Sequence, residues 1–209
     1  MTSLASRPPI GPGPLILVVG PSGAGKDTLI DLARATLAED PRILFARRLV
    51  TRPPGAGEAN GTLDDAAFAA GCAEQRFPLH WQAHGLSYAL GPDVGERLRA
   101  GDVVVANGSR AALPQARGRF ARLRVVLVSA PAEVRAVRLA SRGRESFEDI
   151  RARLARAPQV DVAPDIEIEN VGLPEAGAAA LIAFIAAESA GCARRSITPD
   201  PIASTRTDG

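Results

Sequence analysis

Apolar and polar residues in this chain come in blocks. Five short runs, at 15–20, 43–50, 103–107, 125–129 and 165–170, are bounded by Gly, Pro or charged residues. Several are almost continuously apolar, such as Leu15-Ile16-Leu17-Val18-Val19, as expected of strands covered on both faces. Between and after them lie stretches with helical spacing of apolar positions, at 26–38, 93–99, 110–117, 132–142, 147–157 and 174–188. This alternation predicts an α/β fold, a parallel sheet with helices on both faces. Residues 77–90 break the rhythm. They are aromatic and interrupted by Gly85, and predict an inserted antiparallel piece. No internal repeat is visible. Residues 1–13 and 191–209 are rich in Pro, Gly, Ser and polar residues and read as disordered tails around one domain at 14–190.

Composition narrows the class. A chain of 209 residues with 46% hydrophobic content fits one domain with a real core. A net charge of +2, with no basic run interleaved with aromatics, gives no reason to expect a nucleic-acid partner. No continuous apolar run reaches membrane-span length, so no membrane partner is expected either. Cys72 and Cys192 form no metal or redox motif. Reduced thiols and a cytoplasmic location are the expectation.

The chemistry is concentrated after the first strand. Of 25 Lys and Arg residues, only Lys26 is a lysine. It ends the loop Gly20-Pro21-Ser22-Gly23-Ala24-Gly25-Lys26, and Thr28-Leu29-Ile30-Asp31-Leu32-Ala33 beyond it has helical periodicity. Strand, glycine-rich turn and lysine at a helix start form a phosphate site. Backbone N–H groups line an anion nest, and the helix N-terminus adds partial positive charge. Lys26 is expected to reach the β- and γ-phosphates of ATP. The usual hydroxyl after the lysine is replaced by Asp27, with Thr28 following. Asp27 and Thr28 are therefore the candidates for holding Mg²⁺. The alternative is that Asp27 only complements the helix dipole.

The loop, followed by Thr51-Arg52-Pro53-Pro54 and Gly57-Glu58-Ala59-Asn60-Gly61, resembles the guanylate kinase family. Three later blocks continue the resemblance in order. They are His84-Gly85-Leu86-Ser87-Tyr88, Gly101-Asp102-Val103-Val104-Val105, and the arginine-rich stretch from Arg138-Leu139-Ala140-Ser141-Arg142-Gly143-Arg144-Glu145 to Arg151-Ala152-Arg153-Leu154. The resemblance implies a P-loop kinase with a small acceptor-binding insertion near 47–98 and a helical lid near 138–155. In it Arg138, Arg142 and Arg153 serve catalysis. The guanine-reading places of that family, however, hold Arg48, Leu79 and Gly108. Ala106 stands where a second strand acid belongs, and Gly55 where a phosphate-holding arginine belongs. Losing such polar reading costs orders of magnitude in discrimination.

What replaces it favours a second phosphate, since arginine recognises phosphate in a bidentate fork. Gly-Lys-Asp-Thr at 25–28, Arg-Leu-Val-Thr-Arg-Pro at 48–53 and Val-Ala-Asn-Gly-Ser-Arg at 105–110 together resemble the ribose 1,5-bisphosphate phosphokinase family. That resemblance implies ATP-dependent formation of 5-phosphoribosyl 1-diphosphate within bacterial phosphonate use. Arg48, Arg52, Tyr88, Asn107, Ser109 and Arg110 would bind the sugar bisphosphate. Of Arg47 and Arg48, which alternate along a strand, Arg48 is favoured to face the pocket. The competing expectations are a nucleoside monophosphate kinase of altered base preference and a non-catalytic guanylate kinase-like binding module.

Overall fold

A computed structural model describes residues 8–52, 60–83, 85–141 and 162–196. From the N-terminus the elements are β1 (Leu15–Val19), α1 (Lys26–Thr36), β2 (Ile43–Phe45), β3 (Arg48–Val50), β4 (Gly61–Thr62) and α2 (Asp65–Ala73). Then come β5 (His80–Ala83), β6 (Leu86–Leu90), α3 (Pro92–Arg99), β7 (Val103–Asn107) and a 3-10 turn, Arg110–Ala112. The chain continues through α4 (Leu113–Arg119), β8 (Leu123–Ser129), α5 (Ala132–Ala140), β9 (Ile166–Glu169) and α6 (Pro174–Ser196).

Among the described residues the main sheet has five strands in the order β2-β7-β1-β8-β9, and its pairings are all parallel. β1 is central and buried along its whole length, as its unbroken apolar sequence requires. Its alternate residues feed two cores. Ile16 and Val18 pack with Leu29, Leu181 and Ile185 of α1 and α6. Leu15, Leu17 and Val19 face Leu79, Leu98, Leu113 and the smaller sheet's Trp81 and Leu90.

That smaller sheet, β4-β3-β6-β5, contains the antiparallel piece expected near 77–90 as its β5–β6 hairpin, while its β3–β4 pairing is parallel. β5 and β6 pair antiparallel, and β3 pairs antiparallel with β6. The apolar run 43–50 is not one strand. It divides into β2, in the parallel sheet, and β3, in the small sheet. Ala46 forms the joint, its N–H bonded to Val105 O at 2.8 Å. A second difference is α2, which the apolar pattern does not announce. Asp64 caps it, its carboxylate accepting from Ala67 N at 2.6 Å.

Described structure extends beyond 14–190 on both sides. Ile10 is buried and bridged to Phe120, so the fold begins before residue 14. Helix α6 runs to Ser196, well past 188. By length and composition alone its Pro174–Ala193 segment, of mean hydropathy 1.6, could cross a membrane. Its large apolar residues have a different use. Leu181 and Ile185 are fully buried in the core beside α1. Glu188 ties the helix to β8 through Arg122 (2.9 Å) and Arg124 (2.8 Å).

Candidate active site

The glycine-rich loop connects β1 to α1, as expected. Gly20 and Gly25 have φ of 148° and 91°. A Cβ on Gly20 would collide with Val128 O, and one on Gly25 with the Asn170 amide. Only glycine fits both the backbone and the space. Lys26 folds its ammonium over this loop, donating to Gly20 O at 2.8 Å and Pro21 O at 3.1 Å. Pro21, Ser22, Gly23 and Ala24 make the turn between strand and helix. The cradle at a helix N-terminus suits the phosphates of a nucleotide.

Around it the sheet's C-terminal edge brings together residues far apart in sequence. Val18 on β1 is in register with Asn107 on β7. Asn107 is 7% exposed, and its Nδ2 donates to Asp27 Oδ1 at 2.5 Å. The same oxygen lies 3.5 Å from Arg48 Nη2. Arg48 lies over the Tyr88 ring, 5.8 Å from its centroid, and Tyr88 stacks on Trp81 at 5.5 Å. Arg47 is exposed, so Arg48 is the member of the pair directed at the site. Arg52 follows β3, half-buried, beside Thr51, whose N–H and Oγ1 are both bonded to the Ser87 backbone. Thr28 is exposed on the first turn of α1.

Ser109 Oγ accepts from Ala111 N at 3.2 Å, capping the 3-10 turn that carries Arg110. The helix foreseen at 110–117 thus starts as this turn and becomes α-helical only at Leu113. Arg138 reaches the phosphate loop, with Nη1 3.5 Å from Ala24 O. Arg142 and Arg153, and His84 of the tyrosine segment, lie outside the described residues, as does the helix foreseen at 147–157. Of the guanine-reading places, Leu79 is fully buried in the core and Ala106 is buried within β7.

Two site residues escape sequence reasoning. Asn170, at the end of β9, is 3% exposed and donates to Ala24 O at 2.8 Å. A polar residue at the carboxyl end of a parallel strand was the available signal. Arg135 shares a helical face with Arg138. Its Nε donates to Ala130 O at 3.1 Å, and its Nη1 is buried without a hydrogen-bond partner among the described residues. Burial, and then the nearby charge of Arg110, hold its guanidinium below the usual arginine range. Like charges that disfavour each other in this way would be relieved by an anion.

A glycine-lined phosphate cradle, one lysine and arginines converging at the edge of a parallel sheet define a P-loop kinase. The fold agrees. A crystal structure of guanylate kinase from Anaplasma phagocytophilum superposes with a TM-score of 0.63 over 85% of this chain and 86% of that one, at 16% identity. No family model matches the sequence. Ribose 1,5-bisphosphate phosphokinase PhnN of Methylobacterium radiotolerans is 54% identical over 84% of this chain and 99% of its own length. The Rhodopseudomonas palustris protein of the same name is 49% identical over 84% of this chain and 90% of its own. The chain belongs to the ribose 1,5-bisphosphate phosphokinase family.

Proposed function

We propose that the protein transfers the γ-phosphoryl group of ATP to the 1-phosphate of ribose 1,5-bisphosphate, giving 5-phosphoribosyl 1-diphosphate and ADP. The observation that carries this reading is the pairing of an intact phosphate loop with an arginine-bearing acceptor side that lacks base-reading groups. The family name of the relatives supports the same substrate.

An oxygen of the 1-phosphate forms the new bond to the γ-phosphorus, and the bond to the β–γ bridging oxygen breaks. A phosphate monoester has its second pKa near ~6 and is already ionised at neutral pH. No general base is needed. The difficulty is the approach of two anions, so the protein's task is positioning and charge neutralisation. The loop amides cradle the donor phosphates. Lys26 exchanges its two loop carbonyls for the β/γ oxygens, and Arg138 reaches in from α5. Arg142 and Arg153, as lid residues, complete the donor side. Arg48, Arg52 and Arg110 hold the acceptor phosphates, Tyr88 lines the pocket, and Asn107 and Ser109 meet the sugar hydroxyls.

The donor set fits Mg²⁺. A hard cation is commonly held by one or two protein oxygens plus substrate phosphates. Asp27, 63% exposed at the helix start, and Thr28 beside it are those oxygens. Among the described residues no group of three or more His, Cys, Asp or Glu side chains offers an all-protein metal site. Bound there, Mg²⁺ would neutralise charge developing on the β- and γ-phosphates. Cys72 and Cys192 form no disulfide, which accords with a cytoplasmic location; a role in phosphonate use is what the family resemblance implies.

Measuring ADP release from ATP against GMP, AMP, ribose 5-phosphate and ribose 1,5-bisphosphate tests the assignment. Ribose 1,5-bisphosphate is expected to be the best acceptor by a wide margin. A preference for either nucleotide overturns it.

A further inference from the structure

One carboxylate oxygen joins the donor loop to two acceptor elements. Asp27 Oδ1, on the first turn of α1, accepts from Asn107 Nδ2 on β7 and faces Arg48 Nη2 on β3. The contact pins the Asn107 amide by its nitrogen and so fixes where its oxygen points. That oxygen is buried and has no hydrogen-bond partner among the described residues. A buried acceptor without a donor calls for one brought by a ligand. The neighbouring guanidinium of Arg48, propped on the Tyr88 ring, suits a phosphate. A ligand carrying a hydroxyl next to a phosphate supplies both needs.

We propose that Asp27 is a positioning residue of the acceptor site: it holds the Asn107 amide so that Oδ1 receives a ribose hydroxyl, and keeps Arg48 beside it for the phosphate. The proposal rests on the sugar-bisphosphate reading above. It adds that a residue of the donor loop sets acceptor recognition, independently of any metal at the same carboxylate.

Electrostatics alone gives the opposite expectation. A carboxylate near a bisphosphate repels it, so removing the charge should tighten binding. The test is calorimetric titration with ribose 1,5-bisphosphate in EDTA, without nucleotide. We expect Asp27→Ala to bind about tenfold more weakly, the scale of one lost hydrogen-bond arrangement at a charged site. Asp27→Asn should stay within about threefold of wild type, because its side-chain oxygen still accepts from the Asn107 amide. Wild type should also bind ribose 1,5-bisphosphate more tightly than the 2-deoxy or the 3-deoxy analogue, and Asp27→Ala should narrow that ratio toward one. Asp27 is largely exposed, so melting curves should show both variants folded. Equal or tighter binding by Asp27→Ala, or unchanged hydroxyl discrimination, overturns the proposal while leaving the function intact. A wild type that binds GMP and no ribose 1,5-bisphosphate removes the functional reading, and this proposal with it.

Discussion

The side-chain amide of Asn170 donates to the carbonyl of Ala24 at 2.8 Å, across a separation of 146 residues. The end of the edge strand β9 thereby holds the middle of the phosphate loop. The amide also occupies the space that a Cβ on Gly25 would need. The loop is held from outside by Asn170 and from within by Lys26, so its shape exists before a nucleotide arrives. Such preorganisation lowers the ordering cost of binding.

Asn170→Ala is expected to lower stability by about 1–3 kcal/mol, since it removes the shorter of two hydrogen bonds to the buried Ala24 carbonyl and leaves only the 3.5 Å contact from Arg138. In a domain of this size that corresponds to a melting shift of roughly 2–4 °C per kcal/mol. The KM for ATP should rise more than the KM for the sugar bisphosphate. Gly25→Ala should be worse on both counts, because it strains a left-handed residue and displaces the amide. Melting curves and initial rates check both; a Gly25→Ala protein with wild-type ATP affinity contradicts the account.

Lys26→Ala should abolish turnover while the protein stays folded. Its ammonium bonds to the loop carbonyls of Gly20 and Pro21, at the half-buried start of α1 and outside the apolar core. Lys26→Arg should also fail, because a planar fork does not fit where a compact ammonium bridges Gly20 O and Pro21 O. Near-normal rates in either variant would remove the lysine from catalysis.

GMP should not be phosphorylated at a useful rate. Leu79 is sealed in the core, Ala106 has no polar atom to offer, and a Cβ at Gly108 would meet the Leu17 side chain at 2.6 Å. Direct comparison of GMP with ribose 1,5-bisphosphate at saturating ATP settles the matter. Comparable turnover would mean that guanine is read by residues outside these positions.

Arg48→Ala and Arg110→Ala should each weaken acceptor use by about 10- to 100-fold, the loss of one charge-assisted contact. ATP use should change far less. Arg48→Lys should recover little, because it loses the fork geometry and changes the contact with the Tyr88 ring. A variant in which the KM for ATP rises most would move that arginine to the donor side.

Much of this architecture was legible locally. The strands of the parallel sheet are covered on both faces, so a short apolar run is enough to mark each. β1 and β7 lie where the pattern puts them, to within a residue. The phosphate loop is legible for a similar reason. Its glycine conformations, its lysine and its helix start all lie within one continuous segment.

Where the chain changes partners, the local pattern is silent. Residues 43–50 look like one strand because β2 and β3 are both apolar. Only the hydrogen bonds to β7 on one side and β6 on the other divide them. Ile10 is bridged to Phe120, more than a hundred residues away, a pairing that no pattern near residue 10 shows. Helix α6 continues through small residues that read as polar coil.

The sequence by itself determined the phosphate loop, the alternation of strands and helices, and the loss of guanine-reading groups. Each is a property of short stretches, fixed by backbone freedom, side-chain volume or burial. Tertiary structure alone decided that Asp27 meets Asn107 and Arg48, that Asn170 steadies Ala24, and that Arg135 stands near Arg110. These contacts depend on strand order. Placing β7 and β8 on either side of β1 brings their C-terminal ends to one edge, and no local periodicity encodes which strands become neighbours.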